Sequence, residues 1–384
     1  MKYYIIAGEA SGDLHGSNLM KGLYARDPEA EIRFWGGDLM LAAAEKAVGA
    51  DASSCLVTHY KDGAVMGLSD VLRKAGKLLT NLSRCKSDII AWNPDAVVLI
   101  DYPGFNFKVA EFAHRQGYKV LYYIAPKTWA SRERRNSKLK KYVDRLFIVF
   151  PFEIPYFEKN GIPFTYKGNP LIDAVDSHEF SRPCEERYVA LLPGSRKGEI
   201  SRMMPVCMEV ADKLGCKVLI AGAPARNAED YECFIGGRSN VTLMFGRTYD
   251  ILKYSEAAIV NSGTASLEAA LMSVPQVVCW STSGLTYSVA KNIIRVGDHI
   301  RFISLANLIL DRGIFKELIQ YDFNPENVTA EVRRLMEDTA YREKMKSDYA
   351  EVREALGGKG ASEAVAEAMV DYLLKFKSTG SGRP

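Results

Sequence analysis

Short apolar runs recur along the chain, each closed by a cluster of Gly, Ser, Asp or Pro and most followed by a stretch of helical period. Tyr3 to Ala7, Ile32 to Trp35, Ala96 to Ile100, Lys119 to Ile124 and Arg145 to Phe150 form one series. Runs of roughly five residues without polar alternation suit strands buried on both faces, so the series predicts parallel strands with crossover helices. The polar, charged stretch from Asp176 to Arg187 interrupts it. The rhythm then restarts with Tyr188 to Leu192, Lys217 to Ala221, Val241 to Phe245, Ala257 to Val260 and Gln276 to Trp280. Two such series predict an α/β protein of two Rossmann-like domains facing a cleft.

One segment keeps a different period. Within Val65 to Leu79, residues Leu68, Val71, Leu72, Ala75, Leu78 and Leu79 fall on one helical face, with Arg73, Lys74 and Lys77 beside it. This predicts a helix that faces the core or, in the sharper reading, one that rests on an anionic bilayer. A charged helical region starts at Asn324 and runs to about Lys375, and the residues after it read as a flexible tail.

The turns that close the strands carry the candidate chemistry. Gly8-Glu-Ala-Ser-Gly-Asp13 follows the first strand and Pro193-Gly-Ser-Arg196 opens the second series, but neither is G-x-G-x-x-G, which weakens a nicotinamide or flavin reading. Ala257 to Val260 runs into Ser262-Gly263-Thr264 and then a run of strong helix formers. Free N–H groups and a positive dipole end at that point suit a phosphate; the competing reading makes Ser262 or Thr264 a plain helix cap. Glu268, one turn further in, can accept hydrogen bonds from a sugar attached to that phosphate.

Glu9 and Asp101 stand at the C-terminal ends of strands, where open α/β sheets bind ligands. A carboxylate enclosed there is costly unless paired or used, which favours use for Asp101, whereas Glu9 also reads as a solvated turn residue. Asp13 reads as a cap or first-turn residue and His15 as a surface position. Arg132 to Lys141 carries six basic residues within ten, Arg134, Arg135 and Lys138 among them. Such a run is either a solvated helix face or a contact for phosphate and anionic headgroups.

Composition narrows the class. A chain of 384 residues exceeds one ordinary core, and its net charge of +3 is too small to imply a nucleic-acid partner. The seven cysteines are scattered without a Cys-x-x-Cys pair, as expected of reduced thiols in the cytoplasm. The first apolar run enters a glycine turn at once, so it reads as a strand and not a signal peptide. No apolar run is long enough to span a bilayer, which leaves peripheral association.

Eight motifs in order, Gly8 to Asp13, Val65 to Leu68, Ile100 to Asn106, Pro126 to Ala130, Pro151 to Glu153, Leu192 to Arg196, Ser262 to Glu268 and Lys316 to Gln320, together resemble the lipid-A-disaccharide synthase family. The resemblance covers residue 3 to about 345. It implies the two-domain GT-B glycosyltransferase architecture: an acceptor and lipid-side domain over 1–175, a UDP-donor domain over 186–345, helices over 346–376 that pack back on the first domain, and a tail over 377–384.

It implies an inverting, metal-independent transfer without cofactor, from UDP-2,3-diacylglucosamine to 2,3-diacylglucosamine 1-phosphate. The products are the β-1,6 disaccharide 1-phosphate and UDP, formed at the cytoplasmic face of a Gram-negative inner membrane. A homodimer is an allowed state. On this reading Asp101 is the general base, with Glu9 as runner-up or acceptor-orienting partner. Arg196, Ser262, Gly263, Thr264, Glu268, Asn307 and Gln320 hold UDP, and Val65, Met66, Leu68, Val71, Leu72, Arg134, Arg135 and Lys138 meet the lipid surface. Gly104, Ser131 and Asn169 stand where many members carry Asp, Trp and His, so those side chains are not required for chemistry. A UDP-sugar epimerase of the same fold is the alternative, and a non-catalytic nucleotide-sugar or lipid carrier a third reading.

Overall fold

The computed structural model describes residues 1–63, 71–129, 133–282 and 301–378. It divides into two compact units, Met1–Asp173 with the chain from Lys359 onward, and Ala174–Gly358. In the first unit the described strands are β1 (Lys2–Ala7), β2 (Glu31–Gly36), β3 (Leu56–His59), β4 (Ala96–Ile100), β5 (Lys119–Tyr123), β6 (Arg145–Ile148) and β7 (Phe164–Tyr166). They form one parallel sheet in the order β3-β2-β1-β4-β5-β6-β7. The second unit repeats the plan with β8 (Tyr188–Leu192), β9 (Lys217–Gly222), β10 (Val241–Phe245), β11 (Ala257–Asn261), β12 (Gln276–Trp280) and β13 (Glu317–Ile319), ordered β10-β9-β8-β11-β12-β13. Each order reverses once, between β1 and β4 and between β8 and β11. Crossover helices leave opposite faces of the sheet at that point, so their connections diverge and open a crevice at the C-terminal strand ends.

The central strands β4, β8 and β11 are buried along their whole length, as their uninterrupted apolar runs require. The edges β3, β7 and β13 were not expected from the pattern. They are short and carry polar residues, because an edge strand has fewer neighbours to satisfy.

The C-terminal helix Ala361–Ser378 belongs to the first unit, packing on the helix Ala10–Arg26. The two approach so closely that a Cβ on Gly22 would lie 2.8 Å from the Ala366 Cβ. The Asp173 carboxylate fixes the entry, accepting the Gly360 and Ser362 N–H groups at 2.6 and 3.0 Å. The crossing therefore falls after Gly358, not at 346, because the preceding helix Thr339–Leu356 buries Met345, Tyr349 and Val352 within the second unit. The helix also continues through residues 377 and 378, and residues 379–384 lie outside the described residues.

Of two readings near the first turn, one is extended and one corrected. Asp13 stands in the first turn of Ala10–Arg26, as expected, and its buried carboxylate also caps a second helix, accepting N–H groups of Gly37, Leu39 and Met40 at 2.7, 3.1 and 3.0 Å at the start of Asp38–Val48. His15 is buried, not on the surface, and burial pushes its imidazole down to about 4, so it stays neutral.

Candidate active site

In the first unit, Ala7 pairs with Ile100, so the chain leaves β1 and β4 at the same level and the Gly8-Glu9 and Asp101-Tyr102 turns start side by side. This is the switch point of the sheet. Asp101 and Tyr102 both adopt left-handed backbone, φ +42° and +47°. Two such residues in succession cost about 2–4 kcal/mol, so the surrounding structure must hold them. The buried Asn106 amide donates to the carbonyls of Ile100 and Asp101 at 3.2 and 2.8 Å, and the buried Tyr122 hydroxyl donates to the Asp101 carbonyl at 2.6 Å. All three bonds fall on main-chain carbonyls, so they hold the backbone of the turn, and the Asp101 residue is half-buried. Tyr102 lies with its ring on Gly8, where any Cβ would overlap it. Glu9 is exposed, in extended backbone at the N-cap of Ala10–Arg26.

Strain continues at the neighbouring strand ends. Of the seven non-glycine residues with positive φ among the described residues, Asp101, Tyr102, Ile124 and Gln320 follow directly on β4, β5 or β13. For the β-branched Ile124 the conformation is an outlier, and such outliers concentrate where function dictates backbone shape. Beyond Ile124, the loop carrying Trp129 is tied to β6 by Glu153. This buried carboxylate accepts Val149 and Phe150 N–H at 3.1 Å each and the Trp129 indole at 3.2 Å.

Desolvation outweighs those donors and pushes Glu153 up to about 7 from 4.5. A carboxyl raised in the folded state binds its proton more tightly there than in the unfolded chain. Its contribution is therefore full below pH 4.5 and is lost as pH rises through 7. In denaturant titrations from pH 5 to 8, wild type is expected to lose roughly 3 kcal/mol relative to Glu153→Gln. Parallel pH profiles would contradict the assignment.

In the second unit, Leu192 pairs with Val260, so the turns after β8 and β11 also start side by side. Gly194, at φ +104°, leaves no room for a side chain: a Cβ would lie 2.6 Å from both Asn261 Nδ2 and Glu199 Oε2. Glu199 fixes this turn, accepting Ser195 N–H, Arg196 N–H and the Arg196 guanidinium at 3.0, 3.1 and 2.9 Å. Arg196 itself is exposed at the start of Lys197–Leu214.

The helix Thr264–Leu271 starts without a side-chain cap, so the capping reading of Ser262 and Thr264 fails. Ser262 instead donates to the Ile303 carbonyl at 3.2 Å. Gly263 is extended, and the space where its Cβ would stand is open to 4 Å, so what it leaves is clearance above the turn. Glu268 is half-buried, accepts the Tyr249 hydroxyl at 3.0 Å, and is raised by burial, opposed by that bond.

Asn307 departs from the expectation that it touches the donor. It is buried, donates to Phe315 carbonyl and Glu317 at 3.3 and 2.9 Å, and accepts Ile314 N–H at 2.9 Å. Gln320 is likewise engaged, its amide clamping Thr282 N–H and carbonyl at 3.0 Å each. Both therefore shape loops, because an amide already bonded to neighbouring protein groups through its oxygen and its nitrogen has less to offer a ligand. The residue missed between them is Glu317, which accepts Ile303 N–H and Ser304 N–H at 2.9 and 3.0 Å together with the Ser304 hydroxyl and Asn307. It sits inside the Lys316 to Gln320 motif, where a charged pair between Phe315 and Leu318 was the available signal.

Of the lipid-side residues, Val65, Met66 and Leu68 lie outside the described residues, as do the side chains of Val71 and Leu72. The helix Val71–Trp92 turns Leu82, Cys85 and Ile89 into the core, with Leu78 packed against it and Leu79 exposed. Arg134 and Lys138 are exposed. Arg135 lies 5.6 Å over the Phe107 ring, which packs 6.0 Å from the Tyr122 ring that holds Asp101. No described helix is long and apolar enough to cross a membrane.

Two Rossmann-ordered parallel sheets, each with a glycine-bearing turn at its switch point, define a two-domain α/β fold of the GT-B kind. A solved UDP-GlcNAc 2-epimerase from Neisseria meningitidis, bound to UDP-GlcNAc, shares it with a TM-score of 0.66 over 97% of this chain and all of its own, at 14% identity. The chain belongs to the lipid-A-disaccharide synthetase family, whose model matches residues 3–370. Lipid-A-disaccharide synthases of Geobacter metallireducens and Geobacter sulfurreducens are 39% and 37% identical to it, over 97% of this chain and 97% of theirs. The protein is thus a glycosyltransferase, and the epimerase likeness reflects fold alone.

Proposed function

We propose that the chain transfers 2,3-diacylglucosamine from UDP to the 6-hydroxyl of 2,3-diacylglucosamine 1-phosphate, with inversion and without metal, at a membrane surface. The observation that carries this reading is the strained Asp101-Tyr102 turn beside Glu9 at the first switch point. Asp101 takes the proton of the acceptor hydroxyl as its oxygen attacks the anomeric carbon, and the bond to UDP breaks on the opposite face. Glu9 orients the acceptor. The N-terminus of Thr264–Leu271, with Ser262, Gly263 and Thr264, receives the charge that develops on the diphosphate, and Arg196 adds a positive group. Glu268 accepts from the ribose hydroxyls.

The basic run is the membrane-side element. Arg134 and Lys138, both exposed, meet lipid headgroups, and Arg135, which lies over the Phe107 ring, adds to the same basic face. Incubation of purified protein with both diacylated substrates, in anionic vesicles with EDTA present, is expected to give disaccharide 1-phosphate and UDP in equal amounts. Vesicle binding is expected to weaken with salt and in the Arg134→Ala, Lys138→Ala double variant. Loss of product with EDTA would refute the metal-free reading, and salt-independent binding would refute the basic contact.

A further inference from the structure

A pocket of about 200 Å³ opens in the first unit at the C-terminal ends of β1, β2, β3 and β4. Its floor and walls are apolar or aromatic, from Ile6, Trp35 and Phe105 to Tyr60 and Tyr102. Two of the rings are seated on glycines: Tyr102 on Gly8 after β1, and Tyr60 on Gly37 after β2, where a Cβ would overlap each ring. Replacing either glycine would displace a wall. The polar lining consists of Glu9, Thr58, His59 and Asn81. His59 is already engaged, its Nε2 with Asp38 at 3.2 Å and its Nδ1 accepting Lys61 N–H at 3.2 Å. Thr58 is different: it is 9% exposed, and its hydroxyl is enclosed with no hydrogen-bond partner among the described residues.

An orphaned hydroxyl in a pocket calls for a ligand that completes it. The lining narrows the class. Among the described residues no Lys or Arg lines the pocket and Glu9 does, so a phosphate is disfavoured there. An acyl chain would leave Thr58 and Asn81 unpaired. A neutral ring with hydroxyls at its edge and C–H faces for the aromatic walls meets every requirement, and that is a pyranose.

We infer that this pocket holds the acceptor sugar by its 4,6-edge, with Thr58 and Asn81 hydrogen-bonding the 4-hydroxyl and Tyr60 and Tyr102 against the ring. This rests on the synthase reading and extends it to the acceptor. In 2,3-diacylglucosamine 1-phosphate the acyl groups and the phosphate occupy positions 2, 3 and 1, so only the 4- and 6-hydroxyls are free. The edge that enters the pocket is the edge that reacts, which brings the 6-hydroxyl toward Glu9 and the Asp101-Tyr102 turn. The acyl chains and the phosphate project out of the mouth.

The test compares the natural acceptor with its 4-deoxy analogue in wild type, Thr58→Val and Thr58→Ser, following acceptor KM, UDP affinity and thermal stability. Thr58→Val is expected to raise the KM of the natural acceptor about tenfold, to leave UDP affinity unchanged, and to keep or raise Tm because it deletes an unpaired hydroxyl. Thr58→Ser restores the KM. The 4-deoxy acceptor is expected to show the same KM with wild type and Thr58→Val.

An unchanged KM in Thr58→Val, or an equal rise for both acceptors, would overturn the assignment. So would a lower KM, which would mark the pocket as an acyl site. Failure of the underlying reading is distinguishable, because wild type would then form no disaccharide from either acceptor.

Discussion

Asp101→Asn is expected to lower kcat by about a thousandfold while UDP affinity stays within a factor of two. The substitution keeps size and shape and removes only the basicity of the carboxylate. It also suits the backbone, since asparagine is among the few residues that readily adopt φ near Asp101's +42°. The bonds from Asn106 and Tyr122 fall on main-chain carbonyls and survive the change. The turns proposed to bind the nucleotide belong to the other unit, so affinity for UDP gives an independent readout. Single-turnover assays with saturating acceptor measure the loss, and near-normal turnover would transfer the base role to Glu9. Asp101→Ala is a weaker test, because alanine tolerates the left-handed turn poorly and mixes a chemical loss with a conformational one.

The second large effect is expected at Glu268. Glu268→Ala should weaken UDP binding about a hundredfold, the scale of two charge-assisted hydrogen bonds to a ribose diol after solvent competition. It should also destabilise the second unit by about 1–3 kcal/mol, since the enclosed Tyr249 hydroxyl loses its acceptor at 3.0 Å. Tyr249→Phe separates the two effects. It keeps the carboxylate but frees it to rotate, so UDP affinity should fall only severalfold. Burial raises Glu268 in the folded protein, so the free carboxylate protonates more readily than an exposed one, and UDP affinity should decline toward acid pH in wild type but not in Glu268→Gln. Calorimetric titration with UDP reads all four proteins. Equal affinity across them would remove Glu268 from the nucleotide site.

The loops around the 262–264 turn show how little a motif says about contact. Asn307 and Gln320 were expected to meet the donor, but their amides hold Glu317, Ile314 and Thr282. Glu317 in turn gathers Ile303 and Ser304, and Ser262 docks on the Ile303 carbonyl. Sequence spacing locates polar residues inside apolar surroundings. It does not say whether their hydrogen bonds go to main chain or to a ligand, because that depends on loops brought together from distant parts of the chain.

The central strands, the glycine turns that close them, and the carboxylates Glu9 and Asp101 were legible in the sequence. A strand covered on both faces must be continuously apolar, and a polar residue that ends such a run is costly unless it has a task. The family was legible for the same reason, through motifs concentrated at strand ends. The tertiary structure decided the remainder. It set the strand order that puts β1 beside β4 and β8 beside β11, and added the edge strands β3, β7 and β13, whose few neighbours demand little of their composition. It buried His15, sent Asp13 to another helix, and seated Tyr60 and Tyr102 on glycines from other strands. These are contacts between segments far apart in the chain. Local periodicity carries the burial each residue needs, whereas the partner that supplies it is chosen only when the sheets assemble.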